Sequence, residues 1–397
     1  MLLSHRPFQF YLASRLVSRL ASQVATVAVG WQVYELTSSA FYLGMVGLVQ
    51  FAPTAILVFV AGHAADRYDR KTVVQLCQAA EGVIAAFLAW GTIGGWLTVQ
   101  HIFIAVAGFG IAGAFESPAT SALLPAVVPE GHLQRGTAVG TGMFQFAMIG
   151  GPALGGLAYA VAPSAPYILM TAGWILGGIL MLFVRLERRP AIRELPTTEQ
   201  LFAGVKFVRE NKPILGTISL DLFAVLLGGA TALLPIYARD ILLTGPWGLG
   251  VLRAAPAVGA LLMTIYLARY SIQRKVGIRM FQAVIVFGLA TVVFALSQWM
   301  WLSLIALAIM GAADTISVVI RTSLVQLATP DEMRGRVGAV NFLFINASNQ
   351  LGEFESGVTA ALFGTVPAAV LGGVGTVAVA LIWMKLFPSL RKIERLE

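Results

Sequence analysis

A small set of ionisable side chains interrupts otherwise apolar stretches of this sequence: Arg15, Arg19, Glu81, Glu116, Asp221, Arg253, Asp314, Arg321, Glu353 and Glu355, with Glu35 at the edge of one stretch. A charge at the centre of a bilayer costs about 3 kcal/mol or more unless it is paired or hydrated, so each is a functional candidate by default. Carboxylates in a low-dielectric cavity can exchange protons under physiological conditions. Asp221, Asp314, Glu353 and Glu116 are therefore candidates for a group that binds a proton and a cargo in alternation. Arg15 and Arg321 belong to the same candidate set.

Spacing refines these candidates. Arg15 and Arg19 lie one turn apart with Ser18 and Ser22 nearby, close enough to the cytoplasmic side that snorkelling is the competing explanation. Asp314 and Arg321 share one helix face two turns apart, and would pair only through partners on other helices. Asp221 and Arg253 have no evident partner. In the eleventh apolar stretch Asn346, Asn349, Gln350, Glu353 and Gly357 form one polar stripe, with Glu353 expected to face a central cavity and Glu355 to point away. Aromatic residues such as Trp31, Tyr34, Phe144, Phe223 and Phe342 suit a large apolar ligand, although packing explains such positions equally well.

Enzymatic chemistry finds no footing. His5, His63, His101 and His132 sit at segment ends, Cys77 is the single cysteine, and neither a zinc spacing nor a nucleophile elbow occurs. There is no GxxxxGK[ST] phosphate loop. We expect no catalytic residues, no metal site and no cofactor.

The elements that carry these residues follow from composition. The 397 residues include 27 Lys and Arg and 19 Asp and Glu, only 12% charged, while 58% are hydrophobic and the mean hydropathy is +0.81. A soluble fold has about 25% charge, so this is a helical membrane protein. Stretches of the required ~20 residues occur at about 9–35, 40–64, 72–94, 99–127, 134–160, 166–185, 214–238, 247–268, 278–297, 299–328, 336–363 and 366–387. The first has no small-residue cleavage site and is expected to be a retained helix rather than a signal peptide.

The longest polar interval, 186–213, divides the chain into helix bundles at 1–185 and 214–397. Within it Leu201, Phe202, Val205 and Val208 alternate helically with Lys206, Arg209 and Lys212, which predicts an amphipathic helix on the membrane surface. Lys and Arg gather in the termini and alternate connections (Arg6, Arg67, Arg70, Lys71, Arg135, Arg269, Arg274, Lys275, Arg334, Arg336), whereas the opposite loops carry Arg239. Both termini are expected to be cytoplasmic. The net charge of +8 then reflects topology, and no nucleic-acid partner is expected.

An offset of 201 residues superimposes parts of the two halves: Pro129 on Pro330, Arg135 on Arg336, Gly110 on Gly311, Gly151 on Gly352 and Gly156 on Gly357. Two halves repeated in parallel resemble the arrangement of a major facilitator, a likeness that implies a site between the halves near mid-membrane.

Two motifs carry a family resemblance. The second stretch ends in Gly62-His63-Ala64-Ala65-Asp66-Arg67-Tyr68-Asp69-Arg70-Lys71, which resembles the Gly-x-x-x-Asp-Arg-x-x-Arg-Lys signature of major facilitator transporters. The resemblance implies that Gly62, Asp66, Arg67, Arg70 and Lys71 form a gating lock between cytoplasmic helix ends. Its second-half copy is degenerate, keeping Arg269-Tyr270 and Arg274-Lys275 without the Gly and Asp. Gly151-Pro152 and Gly155-Gly156 in the fifth stretch resemble the Gly-Pro-x-x-Gly-Gly element of drug:proton antiporters, and 330–337 is also similar to exporters of drugs and siderophores. The resemblance implies an all-α major facilitator fold, twelve transmembrane helices in two six-helix pseudo-symmetric halves, in the bacterial cytoplasmic membrane. It further implies a monomeric carrier with a small-molecule substrate, protons as coupling ion and the bilayer as surroundings. Proton-coupled efflux of an amphiphilic drug or siderophore is the expected activity, with lipid or lysophospholipid flipping and divalent-metal export as alternatives.

Overall fold

Local capping chemistry starts and stops the helices where the apolar stretches begin and end. In the computed structural model, which describes residues 5–185, 198–270, 272, 274–330 and 333–395, side chains 58, 59, 62, 63, 65, 66, 198–202, 335, 339 and 342 lie outside the description. Helix α1 (Arg6–Thr37) has Pro7 in its first turn, where a missing N–H leaves no intrahelical bond unmade, and ends at Ser38 with φ 47. Helix α2 (Ala40–Arg67) is followed by α3 (Arg70–Ile93), whose N-terminus is capped by the Asp69 carboxylate accepting from Thr72 N at 3.1 Å. A Thr98–His101 capping box opens α4 (Val99–Val127). Then come α5 (Leu133–Val161) and α6 (Ala165–Leu182).

After the linker follow α7 (Thr198–Glu210) and α8 (Lys212–Leu227). Here the structure departs from the expected continuous helix over 214–238. The path breaks at Gly228-Gly229, passes through a 3-10 turn (Ala230–Leu233) and the short α9 (Leu234–Ile236), and ends in a π turn (Tyr237–Ile241). The cause is close packing, since a Cβ on Gly229 would sit 2.5 Å from Gly352 O, and Pro235 removes a further backbone donor. The remaining elements are α10 (Gly245–Arg269), α11 (Val276–Leu296), α12 (Met300–Ala328), α13 (Arg334–Phe363), α14 (Thr365–Leu386) and the short α15 (Pro388–Arg391).

Among the described residues ten helical segments are long and apolar enough to cross a membrane. Helices α1 and α13, with 32 and 30 residues, are long enough as well but carry more polar side chains. They hold the Arg15–Arg19 pair and the Asn-rich stripe.

The helices group into two units, Met1–Ser38, Leu48–Leu195 and Thr244–Ala254 in the first, Ser39–Gly47, Pro196–Leu243 and Ala255–Glu397 in the second. The internal repeat is visible in how each is packed. In unit 1, α1 packs on α4, α5 and α6, and α3 on α4 and α6. In unit 2, α8 packs on α12, α13 and α14, and α11 on α12 and α14. Phe8, Tyr11, Leu123 and Met181 fill one core, and Leu220, Phe281, Ile320 and Ala380 the other.

The glycines matched by the 201-residue offset are helix crossings. A Cβ on Gly151 would lie 2.4 Å from Gln23 Cβ of α1, and one on Gly352 would lie 2.9 Å from Val225 O of α8. Gly156 meets Pro246 and Gly250 within unit 1, while Gly357 meets Ala40 and Gly44 within unit 2. Small residues let backbones approach where lipid offers no hydrophobic drive for association.

Helix α7 spends its apolar face on protein. Val208 is buried with Ile214, Val325 and Val337, and a Cβ on Gly204 would lie 3.1 Å from Arg336 O. The helix expected on the membrane surface thus has α13 as a partner. Of the expected amphipathic stretch, the side chains of Leu201 and Phe202 lie outside the described residues, as do residues 186–197 of the linker.

Candidate functional site

Two clusters of buried polar side chains stand out, one inside each unit. In unit 1 the cluster is centred on Glu116 of α4, which is 7% exposed. Its Oε1 accepts hydrogen bonds from Ser18 Oγ of α1 at 3.3 Å and Gln78 Nε2 of α3 at 3.2 Å, with Arg15 Nη1 at 3.7 Å. Ser14 Oγ extends the network by donating to Gly177 O of α6 at 2.8 Å. Arg19, one turn beyond Arg15, lies with its guanidinium 5.8 Å from the centroid of the Phe144 ring, a favourable cation–π geometry. Glu81 lies one turn from Gln78 on α3, is buried, and leaves its Oε2 without a hydrogen-bond partner. It interacts electrostatically with Glu116, Arg19 and Arg15. Two cations and two carboxylates therefore share the interior of one bundle. Snorkelling does not describe Arg15, which turns toward Glu116 instead.

Sequence reading missed Gln78, Ser14 and the buried Tyr167 hydroxyl that donates to Gln32. The available signal was a polar residue, Gln78, one turn before Glu81 in an apolar helix. The edge residue Glu35 also has a partner, accepting from Tyr159 Oη at 2.6 Å.

In unit 2 Arg321 of α12 forms a direct ion pair with Asp221 of α8, and the two are 3% and 8% exposed. This resolves two readings at once. Arg321 does have its partner on another helix, and Asp221, which seemed alone in the sequence, is that partner. Asp314 and Asp221 line a small cavity together with Ala224, Ala283, Phe287 and Ser317. The polarity is opposite in the two units: the first helix of unit 1 supplies the cation and α4 the anion, whereas α8 supplies the anion and its partner α12 the cation.

The polar stripe of α13 is not one uniform surface. Asn349 is exposed, Asn346, Gln350 and Glu353 are half-buried, and Gln350 Oε1 lacks a hydrogen-bond partner. Glu353 packs at a helix crossing: a Cβ on Gly47 would lie 3.0 Å from its Oε2. Glu355 accepts from Thr359 Oγ1 one turn on, at 2.8 Å. Arg253 of α10 is half-buried, with Nε unbonded while other atoms of the residue are engaged. Phe223 packs at a tilt against Trp383 and Trp31 against Tyr159, so packing roles are visible for both.

The basic residues after α2 fasten helix ends. Lys71 Nζ donates to Leu182 O at 2.8 Å and Val184 O at 2.9 Å, at the C-terminus of α6, and Arg70 Nη1 donates to Ala122 O of α4 at 3.2 Å. At the C-terminus of α6 the Lys71 cation satisfies otherwise unpaired carbonyls and complements the helix dipole. Arg67 is exposed. The side chains of Gly62 and Asp66 lie outside the described residues, as does that of Phe342. In α5, Gly151 and Gly155 meet α1, Gly156 meets Gly250, and Pro152 is buried in a helix that continues through it.

Comparison with known proteins bears on the chain as a whole. The sequence model of the Major Facilitator Superfamily matches residues 11–353. The chain is 27% identical over 409 residues to the enterobactin exporter of Citrobacter koseri, covering 100% of this chain and 95% of that protein. It is 24% identical to macrolide efflux protein A of Streptococcus pyogenes, covering 97% of this chain and 96% of that one. Among solved structures, an inward-facing bacterial homolog of the human lysosomal transporter Spinster is similar in fold, with a TM-score of 0.74 at 12% identity over 98% of this chain and 96% of that one.

Proposed function

The chain belongs to the Major Facilitator Superfamily and is a multi-pass membrane transport protein, and from that premise we propose that it exports an amphiphilic organic compound by proton antiport. Alternating access would be carried by twelve spans, α1 and α13 included, in a bundle from 1–185 and a bundle from 214–397 joined by the linker 186–213. The observation that carries export is that two relatives spanning essentially the whole chain, with different cargoes in their names, are both efflux proteins. The closely packed Gly151-Pro152 and Gly155-Gly156 element agrees with that direction. Proton coupling is supported by the carboxylates held inside the helix bundles: Glu116, Asp221, Asp314 and Glu353. The placement of Lys and Arg supports a bacterial cytoplasmic membrane with both termini on the cytoplasmic side. A monomer suffices for this mechanism.

Reconstituted vesicles test the reading. In everted orientation the lumen corresponds to the outside, so an acid lumen drives protons out and cargo in. Uptake of a labelled macrolide or labelled enterobactin is expected to rise when the lumen is acidified and to collapse with a protonophore. Uptake indifferent to the imposed gradient would sink the antiport. Lipid flipping is the second reading, favoured by Arg15 and Arg19 on α1 as partners for a headgroup phosphate, and competition by lysophospholipid would reveal it. Divalent-metal export is weaker, because Glu353 and Asp314 have different surroundings, one against Gly47 and the other in the small cavity of unit 2.

A further inference from the structure

We propose that the facing ends of α12 and α13 form a capture pocket for an amphiphilic anion, where cargo taken from the cytosol is held before it reaches the transport site. This rests on the export proposed above and names the chemistry of its first binding step.

Position sets the pocket apart. Its walls come from Thr322 to Thr329 on α12 and from Arg334 to Asn341 on α13, all of unit 2. At about 1.5 Å per residue these are the last and first ~10 Å of helices roughly 40 Å long. Carriers built from repeats hold cargo near mid-membrane, so the pocket is a separate place. In the topology proposed above it opens on the cytoplasmic side. Its volume is about 680 Å³, within the range on the order of 300–1,000 Å³ that suits organic ligands. A Cβ built on Gly338, in its wall, would meet nothing within 4 Å.

Polar groups without partners show what it can hold. Thr315 and Thr329 return their hydroxyls to the carbonyl four residues earlier, as hydroxyls on a helix commonly do. Thr322, Ser323 and Gln326, which line the pocket, make no side-chain hydrogen bond among the described residues. Asn341 Oδ1 is buried without a donor. Lipid cannot satisfy such groups, so this wall is turned to water and to a ligand.

Charge and shape narrow the class. Arg334 is the charged residue among those lining the pocket, and it stands in the first turn of α13, where the helix dipole adds positive potential. Val325 and Val337 make an apolar floor, backed by Val208 of α7 and Ile214 of α8, and Leu327 adds an exposed apolar edge. An acid group for Arg334, hydroxyl donors for Asn341 and an apolar body for the valines describe one kind of molecule, an amphiphilic acid bearing hydroxyl groups. A site used only for capture speeds transport at low cargo concentration and leaves turnover at saturation unchanged.

Two measurements test this. Tritiated cholate, an acid with hydroxyls on an apolar body, is the probe, and cholamide is its neutral counterpart. The purified full-length protein is expected to bind cholate saturably at submicellar concentration. Gly338→Leu, which fills the pocket without meeting backbone, should weaken cholate and cholamide alike by about tenfold or more. Arg334→Gln should weaken cholate by about tenfold and leave cholamide within about twofold. In proteoliposomes, with whichever of the labelled macrolide and labelled enterobactin the wild type carries, Gly338→Leu should raise KM by about tenfold and keep kcat within about twofold. Cholate binding at wild-type strength in both variants overturns the pocket. Equal losses of cholate and cholamide in Arg334→Gln overturn its preference for an anion. A fall in kcat at unchanged KM overturns the capture role, because it places Gly338 in the conformational change instead. If Gly338→Leu does not fold, Arg334→Gln with the cholate and cholamide pair carries the test. Cholate binding that behaves as expected in a protein that carries neither labelled compound keeps the pocket and removes the export. Export that persists with both variants indistinguishable from wild type removes the pocket alone.

Discussion

Arg321 and Asp221 are buried against each other, so removing either leaves a largely buried ionised group without its partner. Breaking such a pair costs about 3–5 kcal/mol, whereas replacing both members with apolar residues of similar volume is often neutral. Asp221→Leu and Arg321→Met are each expected to lower the unfolding temperature in detergent, and the double variant to regain most of the loss. A double variant no better than the worse single one would show that the charges do more than satisfy each other. Gln78→Leu offers a milder case. It deprives Glu116 of one donor, with an expected cost of about 1–3 kcal/mol, and thermal unfolding of the purified protein reads it. The sequence made these charges conspicuous because an apolar helix has so few. It could not show which charges meet, since pairing depends on the rotation of each helix about its axis. That is why Asp221 looked solitary, and why Gln78, a neutral residue, drew no notice.

Helix crossings in this protein are set by glycines whose hydrogen atoms face another backbone. At Gly156 an added Cβ would lie 2.6 Å from Pro246 O, and at Gly357 2.5 Å from Gly44 Cα. Backbone cannot yield as a side chain can, so Gly156→Leu and Gly357→Leu are expected to abolish transport in vesicles, with loss of folded protein or of flux. Gly140→Ala, where nothing lies within 4 Å, should transport as the wild type does. Equal damage from all three would mean that helix propensity rather than close approach governs α5 and α13. The order and lengths of the helices were legible in the hydropathy pattern, because spanning a bilayer requires about 20 apolar residues and polar residues collect between spans. The break after α8 was not legible. Gly228-Gly229 reads as tolerable inside an apolar run until Gly352 is known to press on it.

The matching glycines and the matching packing of α1, α3, α4, α5 and α6 with α8, α11, α12, α13 and α14 make two units of one design. Each has its own core, centred on residues such as Phe8 and Met181 in one and Leu220 and Phe281 in the other. Neither unit is a continuous stretch of chain, however, because Ser39–Gly47 groups with the second and Thr244–Ala254 with the first. A chain cut within the linker would leave each fragment with its core but without a segment of its unit. Gly357 would lose Gly44, and Gly156 would lose Gly250, the crossings that the repeat preserves. Fragments 1–190 and 191–397 expressed alone are therefore expected to be less stable than the whole chain, reaching the membrane in lower amounts. Expressed together they should copurify through a tag on one of them and restore uptake, since the missing segments are supplied in trans. Copurification without uptake would place a role in the linker itself, where α7 holds α13 through Gly204 and Val208. Full stability of each fragment alone would show that the exchanged segments contribute nothing to the units they join.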